Sequence, residues 1–245
     1  MQDLSERFKV TAMTIRRDLE ALERRSSIQR THGGAILSRR SVAEFEFMER
    51  SRTRLEAKKA IALEAALLVK PGMSVMLDTG TTTLEVAKAI RGIEDIKVLT
   101  SSLAIASVLH GQSNIELVLL GGDVRRNSPD LSGPLTEENL RHFRVELAIL
   151  GADAADRRGV YASDLGVSRV SMAMMESADH TTLVLDSGKF SRSSFVRFAG
   201  WKDFHYVVTD ENISRTHRKW LTQTARHARY VRVTKAGRNL KAEQR

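Results

Sequence analysis

From Lys58 onward the chain alternates between short apolar runs, typical of buried strands, and longer segments with helical periodicity. This alternation limits the fold more than any other feature, because strands joined through helices form a parallel sheet that is covered on both faces. The strand-like runs cover residues 74–77, 97–99, 115–120, 145–150, 182–185, 206–208 and 230–233. The sequence therefore predicts an α/β domain with a mostly parallel sheet.

The first 24 residues have the pattern of two short helices around a tight turn. Ile15, Leu19 and Leu22 repeat at i, i+4 and i+7, so we expect them to face inward. Thr11 stands where the N-cap of the second helix belongs. An apolar cluster is predicted for three residues before that cap: Leu4, Phe8 and Val10.

The outward face of the second helix has the residues that a DNA-recognition helix needs. This face is predicted to contain Met13, Thr14, Arg17 and Arg24, with Arg16 beside the apolar stripe. Arginine suits the task because its planar guanidinium can bind guanine in the major groove or a phosphate. A surface helix with solvated arginines has the same pattern, so both interpretations stay open at this point.

The formal net charge of +9 is concentrated at the two ends of the chain. Residues 1–40 contain 9 Lys and Arg against 5 Asp and Glu, a net of +4, and residues 201–245 contain 11 against 4, a net of +7. The 19 Lys and Arg of residues 41–200 are balanced by 21 Asp and Glu. This asymmetry favours contact with a polyanion, although a solubilising basic tail at residues 234–245 is the simpler interpretation of the C-terminal charge.

Composition excludes several classes of protein. Without cysteine the chain has neither disulfides nor thiolate metal sites, and its histidines are scattered without the spacing of metal ligands. No apolar run approaches the roughly 20 residues that cross a bilayer, and the N-terminus lacks a secretory core. We expect a soluble cytoplasmic protein with no cofactor, no bound metal and no membrane partner.

Polar or glycine-containing turns follow three of the predicted strands, at residues 78–83, 100–102 and 120–122. The carboxyl ends of parallel strands meet at one edge of a sheet, where ligands of open α/β folds bind. In the first turn, Gly80 would let an anion approach the backbone, and the amides of the following helix would bind a phosphate. Thr82 could equally be a simple N-cap, so a structural role for this turn stays open.

Three short sequences resemble the DNA-binding signature of the DeoR family of bacterial transcriptional regulators: Leu4-Ser5-Glu6-Arg7-Phe8, Thr14-Ile15-Arg16-Arg17-Asp18-Leu19 and Thr31-His32-Gly33-Gly34-Ala35. The resemblance implies a winged helix-turn-helix over residues 1–37. It gives these DNA-contacting residues, the last four of them in the wing: Thr11, Thr14, Arg16, Arg17, Arg30, His32, Gly33 and Gly34. Family members usually begin with a further helix, so we expect that first helix to be missing here and the winged domain to be incomplete.

Five later sequences resemble the effector domain of the same family, whose fold is related to ribose-phosphate isomerase and coenzyme A transferases: residues 78–82, 120–122, 131–134, 151–153 and 186–190. The resemblance implies a phosphorylated sugar as ligand, with Asp153 and Lys189 near the sugar. With the turns above, the candidate effector residues are Asp78, Gly80, Thr81, Thr82, Thr83, Thr100, Ser101, Gly121, Gly122, Ser132, Gly133, Asp153 and Lys189. Four residues depart from the family pattern: Ser101 stands where Asn is usual, Glu146 where Asp is common, Ala154 where Gly is common and Gly188 where Ser is frequent.

The sequence thus predicts a DNA-binding transcriptional regulator that represses carbohydrate metabolism genes and responds to a phosphorylated sugar. We expect a linker at residues 38–57, an effector and oligomerisation domain at 58–233, and a homodimer or homotetramer on double-stranded operator DNA. Two alternatives stay open. One is an isomerase-like enzyme with a carboxylate base from Asp78, Asp153, Asp164 or Asp186, and the other is a ligand-binding protein with a non-functional DNA-binding domain.

Overall fold

The computed structural model describes residues 2–24, 28–31, 34–37, 39–126 and 128–234. The chain divides into two compact units, the first comprising residues 1–50 with 125–129 and the second residues 51–124 with 130–245. In the described part of the chain, every helix is too short or too polar to span a membrane.

The first unit contains two helices and a hairpin, with a longer helix after them: α1 (Gln2–Phe8), α2 (Ala12–Arg24), β1 (Ile28–Thr31), β2 (Gly34–Leu37) and α3 (Arg39–Arg52). The chain turns between α1 and α2 at Lys9, whose φ is 54°. Thr11 Oγ1 accepts a hydrogen bond from the Thr14 amide at 3.2 Å, so the predicted cap of α2 is confirmed. The antiparallel hairpin pairs Thr31 with Gly34.

Two predictions about the first unit are wrong. Ile15 and Leu19 are buried as expected, but Leu22 is 39% exposed. Phe8 and Val10 are also exposed, so the predicted apolar cluster with Leu4 does not form as a buried core. Periodicity gives the direction in which a side chain points, but not whether another element covers it.

The segment predicted as a linker of weak periodicity is largely helical, because α3 spans Arg39–Arg52. Its Glu, Arg, Ala and Met residues favour a helix by intrinsic propensity. The sequence lacks the continuous apolar stripe by which amphipathic helices are recognised, so the pattern did not reveal it.

The second unit alternates strands and helices. Its helices are α4 (Leu55–Ala66), α5 (Thr81–Ala89), α6 (Leu103–Leu109), α7 (Pro134–Leu140), α8 (Leu165–Glu176) and α9 (Arg215–Thr224). Its strands are β3 (Ser74–Leu77), β4 (Ile96–Thr100), β5 (Ile115–Leu119), β6 (Asp123–Val124), β7 (Leu131–Ser132), β8 (Val145–Leu150), β9 (Ala154–Asp156), β10 (Gly159–Ala162), β11 (Ala178–Val184), β12 (Val196–Ala199), β13 (Tyr206–Asp210) and β14 (His227–Val231).

Seven of these strands form one sheet in the order β14-β13-β11-β8-β3-β4-β5, and every neighbouring pair is parallel. The predicted α/β class and mostly parallel sheet are therefore confirmed. Val75, Met76 and Leu77 of the central strand β3 are completely buried, as expected for a strand that is covered on both faces.

A second, antiparallel sheet of β12, β10 and β9 and a small β6–β7 hairpin were not predicted. Their strands have two to four residues each, too few for an alternating pattern to stand out. Five predicted strands have different bounds in the structure, namely β4, β5, β11, β13 and β14. The difference is largest for β11 and β14, which begin at Ala178 and His227, because polar residues near the start of both strands interrupt the apolar pattern.

Candidate functional site

Because the main sheet is parallel, the residues that follow its strands share one edge. Asp78 follows β3, Ser101 follows β4, Asp153 lies just beyond β8, and Asp186 lies beyond β11. Of these, Asp78, Ser101 and Asp186 are buried, which is unusual for turn residues, and Asp153 is half-buried. A buried polar edge of this kind needs partners for its donors and acceptors.

Asp78 lies at the centre of this edge and links two strands. Its Oδ2 accepts a hydrogen bond from the Gly151 amide at 3.1 Å, and its Oδ1 accepts one from the Thr79 amide at 2.7 Å. Burial raises the pKa of Asp78 to about 7; the two amides oppose this shift, while the negative charges of Asp130 and Asp153 add to it. The carboxyl group therefore changes charge near neutral pH.

The turn after β4 is fixed by hydrogen bonds, except at one hydroxyl. Thr100 Oγ1 donates to the carbonyl of Leu77 at 2.8 Å, and the Ser102 amide donates to Thr100 Oγ1 at 3.1 Å. The backbone carbonyl of Ser101 accepts a hydrogen bond from the Leu131 amide at 2.8 Å. The side chain of Ser101 is 1% exposed, and Ser101 Oγ has no hydrogen-bond partner in the described part of the chain. A buried hydroxyl without a partner costs about 1–3 kcal/mol.

The N-terminus of α5 is the candidate phosphate loop. Gly80 occupies the cap position with φ 124° and ψ 171°, and no side chain caps the helix. The first helical hydrogen bond runs from the Leu84 amide to the Gly80 carbonyl, so the amides of residues 81–83 precede it. The alternative that Thr82 is the N-cap is wrong, because Gly80 holds that position and Thr82 is the second residue of α5.

A Cβ atom at Gly80 would meet only Thr83 Oγ1 within 4 Å, at 3.7 Å. The space in front of this glycine is therefore open. Thr83 itself turns inward, and its Oγ1 donates to the Gly80 carbonyl at 3.1 Å.

Two glycines around the β6–β7 hairpin have no space for a side chain, because neighbouring protein atoms lie too close. A Cβ at Gly122 would lie 2.0 Å from Thr136 Oγ1 and 2.8 Å from the Ser132 carbonyl oxygen. At Gly133 it would lie 2.8 Å from Asp123 Oδ2. Close packing explains these two glycines without a ligand, whereas Gly121 is exposed.

Asp153 and Lys189 are brought to the same region by an unpredicted contact. The β9 strand that begins after Asp153 packs against the 3₁₀ turn Ser187–Ser191, which contains Lys189. Asp153 Oδ2 accepts hydrogen bonds from the amide and the hydroxyl of Ser163, both at 2.8 Å. Lys189 is half-buried.

Sequence reasoning missed two residues of this edge. Asp130 is 2% exposed and its charge acts on Asp78, but it follows no long apolar run that could have marked it. Arg54 Nη1 donates to Ser187 Oγ at 3.1 Å, and Arg54 Nε lies 3.5 Å from Asp186 Oδ1. A Cβ at Gly188 would lie 2.7 Å from Arg54 Nε and 2.9 Å from Asp186 Oδ1, so a larger residue there would displace this pair.

The DNA-reading candidates lie on an exposed face of the first unit. Thr11, Thr14, Arg16 and Arg17 are exposed, and the hydroxyl oxygens of the two threonines are 2.9 Å apart. Gly34 opens β2. The structure describes the backbone of Arg30 but not its side chain, and His32 and Gly33 lie outside the described residues.

The sheet edge therefore combines backbone donors at α5, buried hydroxyl and carboxyl groups, and a lysine on a neighbouring turn. Such a set can bind a small polar anion that also has hydroxyl groups. Within the described ranges, no cluster of three or more histidine, aspartate or glutamate residues could hold a metal ion.

Comparison with known proteins gives matches over both units. Residues 53–211 match the DeoR C-terminal sensor domain, and residues 1–41 match the DeoR-like helix-turn-helix domain. The chain is 36% identical to the uncharacterized HTH-type transcriptional regulator YulB of Bacillus subtilis, over 87% of this chain and 83% of that protein.

Two repressors of Escherichia coli are also similar. The putative aga operon transcriptional repressor of strain O157:H7 is 32% identical over 87% of this chain and 80% of its own length. The glycerol-3-phosphate regulon repressor of strain K12 is 32% identical over 85% of this chain and 83% of its own length.

Among solved structures, ribose 5-phosphate isomerase A of Methanocaldococcus jannaschii is 20% identical, covers 55% of this chain and 53% of its own, and has a TM-score of 0.40. The two family matches and the curated relatives extend over most of the sequence. The chain therefore belongs to the DeoR family of transcriptional regulators.

Proposed function

We propose that the protein represses carbohydrate metabolism genes, and that a phosphorylated sugar at the carboxyl edge of the seven-stranded sheet modulates its binding to double-stranded operator DNA. The names of two relatives, the glycerol-3-phosphate regulon and aga operon repressors, support the class of gene. We further propose a homodimer or homotetramer, because symmetric oligomers bind repeated half-sites; light scattering after size-exclusion chromatography would measure it.

The observation that carries the ligand proposal is the hydroxyl of Ser101, which is buried and has no partner among the described residues. It lies one residue beyond Thr100, which bonds directly to β3. A ligand oxygen would satisfy this hydroxyl, the amides of residues 81–83 would bind a phosphate, and carboxylates would accept hydrogen bonds from sugar hydroxyls.

Ser101→Ala should therefore have opposite effects with and without ligand. Without ligand it should raise the melting temperature by roughly 2–4 °C, because removing an unpaired buried hydroxyl stabilises the fold by about 1 kcal/mol. With ligand it should reduce the stabilisation produced by glycerol, pentose or hexose phosphates in a thermal-shift screen.

The matched control is Thr182→Val. Thr182 Oγ1 is also buried without a partner among the described residues, but Thr182 lies inside β11 rather than in a turn. This variant should also be stabilised without ligand, and it should respond to sugar phosphates as the native protein does. An undiminished ligand response of Ser101→Ala would remove this hydroxyl from the site.

The DNA part of the proposal depends on α2. Arg17→Ala should weaken binding to an operator duplex selected from a random pool by about 1–3 kcal/mol, roughly 5-fold to 150-fold, if Arg17 contacts a base edge. Titration by fluorescence anisotropy would measure this decrease. Arg7→Ala, which removes another exposed arginine, serves as the control, and equal affinity of native and Arg17→Ala protein would exclude Arg17 from the interface.

One observation favours an enzyme as the second candidate, because the pKa of Asp78 near 7 suits a general base. Against this, the candidate carboxylates already accept hydrogen bonds from backbone amides of the protein. Asp78 accepts two backbone amides, Asp164 caps α8 by accepting the Val167 amide, and Asp186 accepts the Gly188 amide. We propose sensing rather than turnover, and an assay of aldose–ketose interconversion by the purified protein separates the two.

A further inference from the structure

The last part of the second unit has an unbalanced positive charge. Between residues 212 and 234 the sequence contains six arginines and lysines and no aspartate or glutamate. This segment forms α9, the turn after it and the edge strand β14. These elements are part of the second unit, so their charge belongs to that unit.

Three of the cations form a stripe on α9. Arg215, Arg218 and Lys219 stand at i, i+3 and i+4, and all three are exposed. The opposite face of the helix is fixed by Trp220 and Leu221, which are buried. The Trp220 ring packs against the ring of Trp201, with centroids 5.2 Å apart. This packing fixes the orientation of α9 and therefore the side on which the three cations lie.

The neighbouring strand extends the same surface. Tyr230 of β14 lies beneath Arg218, whose Cζ is 4.2 Å from the ring centroid, and its hydroxyl lies 2.8 Å from Thr222 Oγ1. Arg226 and Arg232 are exposed before and after this strand. We call the group Arg215, Arg218, Lys219, Arg226 and Arg232 the α9 surface.

In the described part of the chain an acid lies beside this surface, because Glu211 Oε1 accepts a hydrogen bond from the amide of Val233, next to Arg232, at 3.2 Å. Arg229 of β14 pairs with Glu64 at 2.7 Å, but no ion pair is found there for any member of the α9 surface. The pKa of His205 is lowered, first by burial and then by the positive charges of His180, Arg226 and His227.

We propose that the α9 surface binds the phosphate backbone of duplex DNA, as a second contact in addition to α2. Three cations on one face of α9, with further exposed arginines before and after β14, match the dense and regular negative charge of a duplex. Because the contacts are to phosphates, they add affinity without sequence preference. The proposal does not depend on the identity of the ligand or of the operator.

The test is the salt dependence of binding to a random-sequence 30-base-pair duplex, measured by fluorescence anisotropy with the full chain. The triple variant Arg215→Gln, Arg218→Gln, Lys219→Gln removes three cations but keeps similar side-chain lengths. The slope of log K against log salt should decrease in magnitude by about 0.9 for each phosphate that is no longer neutralised, close to 3 in total. Affinity near 0.1 M salt should fall by roughly tenfold or more.

The matched control is Lys70→Gln, Arg91→Gln, Arg157→Gln, which removes one lysine and two arginines at exposed positions outside α9 and β14. Both triple variants have the same net charge, so a general effect of charge would appear in both. Circular dichroism establishes that each is folded. An unchanged slope of log K against log salt in the α9 variant would overturn the proposal, and so would an equal decrease in the control. If the slope is unchanged, an acidic protein is the partner that fits this charge.

Discussion

Replacing Asp78 by asparagine should remove a component of stability that changes strongly with pH. The pKa of Asp78 is raised from 3.8 to about 7 in the folded protein, mainly by burial. Between these values the folded state holds a proton that the unfolded state has lost. The contribution is therefore fully present below pH 4 and is lost as the pH rises to about 7. At about 1.4 kcal/mol for each pH unit, the loss approaches 4 kcal/mol.

The measurement is the free energy of unfolding by urea, from pH 4 to pH 8, for native and Asp78→Asn protein. The difference between the two free energies should change from pH 4 to about pH 7 and level off towards pH 8. Asp210→Asn is the matched control, because Asp210 is also buried and accepts two backbone amides, those of Ser187 and Asn212. The Asp210→Asn protein retains Asp78, so its free energy of unfolding should retain the pH dependence that Asp78 produces. Parallel curves for native and Asp78→Asn protein would contradict the prediction.

Gly80→Val should abolish the response to sugar phosphates. A ligand at 100 times its dissociation constant stabilises the native protein by about 2.7 kcal/mol, which raises the melting temperature by roughly 5–10 °C for a chain of this size. A valine at Gly80 would project into the open space in front of α5 and cover the amides that we propose as the phosphate site. The thermal-shift screen should then give no shift with any sugar phosphate.

Backbone strain needs a separate control, because Gly80 has a φ of 124° that L-residues rarely adopt. Gly72 and Gly111 also have positive φ, 83° and 81°, and nothing lies within 4 Å of a Cβ built on either. Gly72→Val and Gly111→Val should be destabilised but still respond to the ligand. A ligand response retained by folded Gly80→Val protein would mean that the loop is structural and that the phosphate lies elsewhere.

Much of the main sheet could be predicted because its strands are buried on both faces and therefore form continuous apolar runs. The predicted bounds of β3 and β8, residues 74–77 and 145–150, agree with the structure. The antiparallel strands β9, β10 and β12 could not be predicted, because they are short and their positions depend on pairing between distant residues, such as Val160 with Ala199. The helix α3 has no amphipathic pattern, so only its propensity pointed to a helix.

The candidate site was predictable where a residue directly follows a strand. Asp78, Thr100 and Ser101 were found in this way, because a parallel sheet brings such residues to one edge. Asp130 and Arg54 could not be found, since Asp130 pairs across an isolated bridge with Ser102 and Arg54 reaches a turn that lies far along the chain. Contacts of this kind depend on tertiary packing and leave no local signal.

The position of β3 in the sheet also determines when the protein can fold during its synthesis. β3 is the earliest strand of the sheet, but one of its neighbours is β8, with Val75 paired to Leu147. Until β8 leaves the ribosome, β3, β4 and β5 are a partial sheet whose apolar β3 edge is unpaired. Edges of this kind recruit other chains, and contacts between distant segments form slowly. A nascent chain that stalls before residue 145 should therefore be prone to aggregation.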